Sequence, residues 1–153
     1  MYCEAGEDDV GYEIKMRKTL LYRINLKTGS GTDFQDITPI VRDTIVSSGV
    51  QSGVCHIFVT HTTAGITVNE HADSSVAEDI TAQFAAMVPQ HNNYRHMEGN
   101  SPAHIKASLV GTSETLFVED GKIVLGTWQG VFFCEFDGPR NRTILIKVVP
   151  DSA

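Results

Sequence analysis

The chain has 153 residues, 41% of them hydrophobic, a formal charge of −7 and three cysteines. That length suits one domain with one core. No apolar run approaches the roughly 18 residues that span a bilayer, and no basic-then-apolar leader opens the chain, so a soluble, cytoplasmic protein with no membrane contact is expected.

The acidic balance argues against nucleic acid as a partner, because phosphate backbones are held by clustered Lys and Arg. Cys3, Cys55 and Cys134 are odd in number, widely spaced and without a CxxC pair, which reads as reduced structural thiols. Glu4, Glu7, Asp8, Asp9 and Glu13 all precede Lys15, the first basic residue. Residues 1–13 therefore read as an acidic extension outside a domain spanning 14–150.

From Lys18, "KTLLYRINL" alternates with period two, a half-buried strand that ends at Thr28-Gly29-Ser30-Gly31. "DITPIVRDTIVSSG" offers Thr38 as N-cap, Pro39 in the first turn, Val41 and Ile45 four apart, and Gly49 as a stop, the pattern of a short amphipathic helix. "GVCHIFVTH" is a strand that sends Cys55, Ile57, Val59 and His61 to one face and His56, Phe58 and Thr60 to the other. After a turn over Thr62–Gly65 and a short "ITVN" strand, Val76, Ile80, Phe84 and Met87 recur at helical spacing.

Residues 90–102 are polar and aperiodic and read as a long loop. "TLFVEDGKIVLG" is a hairpin around Asp120-Gly121, and "GVFFCEFDGPRNRTILIKVV" is two strands joined by a Gly-Pro-Arg-Asn turn. Hairpins dominate, two helices are inserted, and there is no βαβ rhythm. An α+β single domain built as an antiparallel β-sandwich is expected.

Three polar clusters sit on elements that would fix their positions. The first contains His61, Thr62, Thr63, Asn69 and Glu70: small residues around Gly65 let backbone N–H groups approach an anion, or they simply close a hydrogen-bonded turn. The second, residues 94–111, carries His96, Glu98, Asn100 and His104, groups that suit zinc or proton transfer but that also occur on a solvated loop. In the third, Glu135 shares a strand face with Val131 and Phe133, so it must face solvent or be paired, and Arg140 and Arg142 lie within reach. Trp128 and Gln129 at the strand entrance are either core and cap or a stacking platform with an amide. No Ser or Cys has the neighbouring base of a covalent nucleophile.

In order along the chain, "HTTAGITVNE", HxEGNxxAHxxxxxxG, "LGTWQ" and "EFDGPRNR" resemble the YjbQ-type family of secondary thiamine-phosphate synthases over Ile14 to Val149. The resemblance implies a homotrimer with motif residues near a subunit boundary. It also implies a transferase that condenses a hydroxymethylpyrimidine pyrophosphate with a thiazole phosphate. It carries over His61, Thr62, Asn69, Glu70, His96, Glu98, Asn100, His104, Gln129, Glu135 and Arg140 as site residues.

Under that reading Arg140 and the Thr62-Thr63 turn hold a small anionic metabolite, and Asn69, Asn100, Gln129 and Glu135 help to bind it. His61, His96 and His104 bind a divalent ion, zinc or magnesium, or transfer protons, with Glu70 and Glu98 as base or support. Two other classes fit the same groups: a metal-dependent hydrolase of a small phosphorylated or cyclic metabolite, and a non-catalytic trimeric binding module.

Overall fold

The computed structural model describes residues 20–152, so the acidic extension read at 1–13 lies outside the described residues. The elements run β1 (Leu21–Lys27), β2 (Gly31–Asp36), α1 (Thr38–Ser48), β3 (Gly53–Val59), β4 (Ala64–Glu70), α2 (Ser74–Met87), α3 (Ser101–Val110), β5 (Ser113–Glu119), β6 (Lys122–Ile123), β7 (Gln129–Gly138) and β8 (Asn141–Pro150). Two antiparallel sheets result, a five-stranded β1-β8-β3-β5-β6 and a three-stranded β2-β7-β4. The single-domain α+β architecture matches the expectation, with three helices in place of two.

The main core fills the space between the sheets. The inward face of β3 (Cys55, Ile57, Val59) and of β8 (Ile144, Ile146, Val148) meets Ile66 of β4, Val131 and Phe133 of β7, and Val41 and Ile45 of α1. Exposed His56 and Phe58 lie on the other side of β3, as its alternation predicts. A second cluster lies on the far face of the small sheet, where Phe132, Cys134 and Phe136 pack under Ala103 and Ala107 of α3. β7 is thus buried on both faces, which is why "VFFCEF" shows no polar alternation. Burial pushes the Cys55 thiol up to about 11 and the Cys134 thiol further up, in keeping with structural cysteines.

Three elements depart from the sequence reading. β2 was hidden in a Gly-rich, polar stretch because it is an edge strand, pairing only with β7 and irregular between Gly31 and Asp33. α3 begins at Ser101, inside the stretch that read as loop. Its buried side is Pro102, Ala103, Lys106 and Ala107, which shows almost no hydrophobic period although Pro sits in the first turn. β7 and β8 are not paired with each other: the Gly138–Asn141 turn carries the chain from the small sheet to the large one. At α1, the Asp36 carboxylate rather than Thr38 accepts the first free N–H, that of Thr38, at 2.9 Å.

β1→β2, β3→β4 and β7→β8 each pass between the two sheets. All three crossings converge on Glu135, which has no solvent exposure. Arg142 donates to both of its oxygens at 2.6 Å from Nε and NH2. The Thr28 hydroxyl, in the first crossing, donates to it at 2.9 Å, and Arg142 donates to the hydroxyl of Thr63, in the second crossing, at 2.7 Å. Burial alone would raise the Glu135 carboxyl, but Arg142, the Asp137 N–H and Thr28 outweigh it and hold it below the ordinary 4.5.

Glu135→Gln leaves Arg142 as an uncompensated buried cation and is expected to cost about 3–5 kcal/mol at neutral pH, read by denaturant unfolding. Because the folded carboxyl lies below its unfolded value, its contribution is present above pH 4.5 and is lost as pH falls through the folded value. The gap between wild type and variant should therefore narrow on acidification; a gap of constant size would show that Glu135 is not the ionised partner.

Candidate functional site

The Glu135 end of the sandwich gathers most of the polar residues singled out in the sequence. His61 follows β3 and is half-buried; its Nε2 accepts the backbone N–H of Thr143 at 2.9 Å. The ring's single proton then sits on Nδ1. Burial and then the nearby Arg142 charge lower the His61 pKa, with Glu135 opposing, and the Thr143 N–H on Nε2 is compatible only with the neutral ring. Thr62 is exposed, whereas Thr63 is buried and its hydroxyl is taken by Arg142.

Arg140 stands in the β7–β8 turn, donating from NH2 to Asp137 Oδ2 at 2.8 Å and from Nε to the Asp137 carbonyl at 3.1 Å. Asn100, which caps α3, donates its amide to the same Asp137 oxygen at 3.1 Å. Burial would raise Asp137, but Asn100 and Arg140 hold its carboxyl below the ordinary range. Its partner atom, Asn100 Oδ1, is the buried side-chain polar atom left without a hydrogen bond among the described residues.

One turn into α3, His104 sits edge-on to His96, with ring centroids 5.2 Å apart. His96 Nε2 lies 3.8 Å from Glu98 Oε2, and the Gly99 N–H donates to the His96 carbonyl at 3.2 Å. A positive φ of 76° at Gly99, which favours glycine, turns the HxEGN segment back on itself before the helix starts. The motif thus works by local geometry: a tight turn delivers His96 to the first turn of a helix that carries His104. His96 and Glu98 are exposed and His104 is half-buried.

The remaining candidates lie elsewhere. In the β4–β7 register Ala64 faces Glu135 while Glu70 faces Gln129, so the six-residue step between them amounts to about 20 Å of strand. Asn69, Glu70, Gln129 and exposed Trp128 therefore form a second group at the opposite end of the small sheet. Gln129 Oε1 accepts the Gly126 N–H at 2.8 Å, and Asn69 Oδ1 accepts the Glu70 N–H at 2.8 Å. Asn69 also lines a cavity of about 370 Å³ with Phe34, Gln83, Phe84 and Leu109, on the side of α2 and α3.

That second group contains a pair the sequence did not reveal. His71 Nδ1 lies 3.0 Å from Asp36 Oδ2, and the Asp36 carboxyl, despite the raising effect of burial, is held low by the Thr38 hydroxyl and N–H and by His71. Gly130 makes room for the ring: a Cβ there would lie 2.6 Å from His71 Cγ. The signal was the "NEHAD" histidine, but its partner stands at the end of β2, the strand that polarity concealed.

A divalent ion was expected on His61, His96 and His104. Among the described residues no three of His, Cys, Asp or Glu gather so as to hold a metal ion, and His61 already spends Nε2 on the backbone. The described residues of one chain do not by themselves supply a full ligand set for such an ion. No helix among the described residues is long and apolar enough to cross a membrane.

Comparison with known proteins places this geometry. The family model described as UPF0047 protein YjbQ-like matches residues 22–151. A UPF0047 protein of Methanocaldococcus jannaschii is 49% identical over 86% of this chain and 96% of its own length, and YugU of Bacillus subtilis is 47% identical over 85% and 99%. A crystal structure of a YjbQ/UPF0047 family protein from Clostridium acetobutylicum superposes with a TM-score of 0.82 at 48% identity, covering 84% of this chain and 99% of that one. A second, from Sulfolobus solfataricus and described as a YjbQ-like protein of unknown function, gives 0.83 at 34% identity over 88% and 99%. These relatives carry the UPF0047 name alone, and nothing among them links the family to thiamine-phosphate synthesis, so the expected transferase activity is withdrawn. With matches over nearly the full length of its relatives, the chain belongs to the YjbQ-like UPF0047 family.

Proposed function

We propose that the chain binds a small anionic metabolite at the Glu135 end of the sandwich, and that the site is completed where copies meet in a homotrimer. The observation that carries the reading is the His96–His104 pair, 5.2 Å between centroids, set at the start of α3 beside Asn100, Asp137 and Arg140. Imidazole N–H groups donate to an anion and exchange protons with it near neutral pH. The exposed Thr62 hydroxyl and N–H lie in the adjoining crossing, and the neutral His61 ring borders the same end.

Assembly is supported by the division of the motif. Glu70 and Gln129 pair about 20 Å of strand away from the Ala64–Glu135 pair, so a small ligand held at the Glu135 end does not reach them within one chain. A rotation that brings one end of a copy to the other end of its neighbour unites them, and a closed ring repeats that contact without loose ends. The large sheet also leaves Phe58 (45% exposed), Phe117 (68%) and Val124 (46%) uncovered, an apolar surface suited to a second copy. A zinc or magnesium ion at the His96–His104 pair would need its remaining ligands from that neighbouring copy.

Titration with inorganic phosphate and with pyrophosphate, at constant ionic strength, tests the site. His104→Ala removes one charge-assisted or neutral hydrogen bond to the anion and is expected to weaken binding about tenfold or more. His91→Ala, an exposed position in the same loop, is expected to leave it unchanged. Equal behaviour of the two variants would remove the His96–His104 pair from the site. Sedimentation at micromolar concentration is expected to give three times the 16.7 kDa chain mass; a stable monomer would exclude a site completed between copies.

A further inference from the structure

The cavity beside Asn69 has a volume of about 370 Å³ and is built from four elements, β2, β4, α2 and α3. That volume falls within the roughly 300–1,000 Å³ of small-molecule sites. β4 supplies one side: Gly65, Thr67 and Asn69 alternate toward the helices while Ile66 enters the inter-sheet core. At Gly65 a Cβ would lie 2.7 Å from the Gly111 carbonyl oxygen and 2.9 Å from Val110 Cγ1. The missing side chain thus seats the end of α3 on the strand, where the Ile66 N–H donates to the same carbonyl at 3.0 Å.

Leu109 and Val110 are thereby fixed as one wall. Ile80 and Phe84, one turn apart on α2, make a second, although no residue of that helix is buried within the chain. Phe34 of β2 completes the apolar lining, and both Phe34 and Phe84 stand edge-on to Phe136.

The polar side chains that line this space are Thr67, Asn69 and Gln83, and no charged residue joins them. Asn69 Oδ1 accepts the Glu70 N–H at 2.8 Å, which leaves its Nδ2 group to donate. Among the described residues no hydrogen bond engages the Thr67 hydroxyl or the Gln83 amide, each able to donate and to accept. An ion entering here would shed water without meeting a counter-charge. A ring would leave water against aromatic and aliphatic walls, and an amide on that ring would find both donors and acceptors.

We propose that this cavity binds an uncharged aromatic ring bearing a carboxamide or lactam edge. The ring lies against Ile80, Phe84 and Leu109, and the amide exchanges hydrogen bonds with Thr67, Asn69 and Gln83. The site is separate from the Glu135 end and does not depend on the anion-binding reading.

Benzamide is the probe, with benzoate as its charged counterpart and acetophenone as the neutral one that lacks the N–H donors. Each is titrated into isotope-labelled protein while the side-chain amide resonances of Asn69 and Gln83 are followed by NMR. Benzamide is expected to shift both resonances saturably, with a Kd on the order of a millimolar for so small a ligand. Benzoate and acetophenone are expected to bind about tenfold more weakly or worse. Gln83→Leu, at an exposed position, is expected to remove most of the preference for benzamide over acetophenone, read at Asn69. Leu109→Trp, also at an exposed position, is expected to fill the cavity and abolish binding with the thermal midpoint near that of wild type.

Equal affinity for benzamide and benzoate, or for benzamide and acetophenone, would reduce the cavity to an unselective cleft and overturn the proposal. Resonances of Asn69 and Gln83 that ignore benzamide would overturn it as well, as would binding that survives Leu109→Trp unchanged. A benzamide affinity that falls as protein concentration rises would place a neighbouring copy in the cavity, with the same consequence.

Discussion

A single buried carboxylate organises this fold. Glu135 lies on the face of β7 that Val131 and Phe133 give to the inter-sheet core, and a charge there is tolerable only if every lone pair is used. Arg142, the Thr28 hydroxyl and the Phe136 and Asp137 N–H groups use them. Thr28 belongs to the β1→β2 crossing, and Arg142, just after the β7→β8 turn, also holds Thr63 of the β3→β4 crossing, so one ion pair ties three of the places where the chain passes between sheets. Gly138 tightens the same corner: a Cβ there would collide with the carbonyl of Gly29. The candidate site end inherits this rigidity, because Asp137, two residues after Glu135 and held by Arg140, accepts from Asn100 at the N-cap position of α3.

That dependence also explains how much could be read in advance. β1, β3 and β8 announce themselves through alternation, since each has one buried and one open face. Glu135 was visible as a break in an apolar run with arginines within reach, and the structure makes Arg142 its partner. β2 was invisible because an edge strand of Gly, Thr, Asp and Gln buries little, and α3 because its packed side is Ala, Pro and a lysine. Periodicity reports rows of buried large apolar groups, and β2 offers Phe34 alone while α3 offers Val110 at its end.

The site was legible in parts. The HxEGN segment keeps His96, Glu98, Asn100 and His104 close together, because a glycine turn followed by a helix start is a local event. What spacing could not show is that Asn69 and Glu70, close to His61 in sequence, are carried away by the length of β4. Adjacency in a list of motif residues is not adjacency in space when a strand intervenes. The Asp36–His71 pair shows the converse: 35 residues separate partners that the β2–β7–β4 sheet brings to 3.0 Å.

The two ends of the small sheet differ in how firmly they are held. The Glu135 end is tied by buried, charge-assisted bonds, whereas α2, which walls the Asn69 cavity, has no residue buried within the chain. Its sequence still specifies a helix, with the Asp73 carboxylate accepting the Ser75 N–H at 2.9 Å, and Phe84 packs edge-on to Phe136 at 6.0 Å. Helical propensity and one cap do not hold fourteen residues in place against water; an apolar contact must supply the rest. In one chain that contact is made by Phe84, the half-buried Val76 and Ile80, and Val88 at the C-cap, so α2 is held less firmly than the strands of the sandwich. A ligand or neighbouring copy that covers α2 would therefore order this wall without disturbing the corner where the histidines sit.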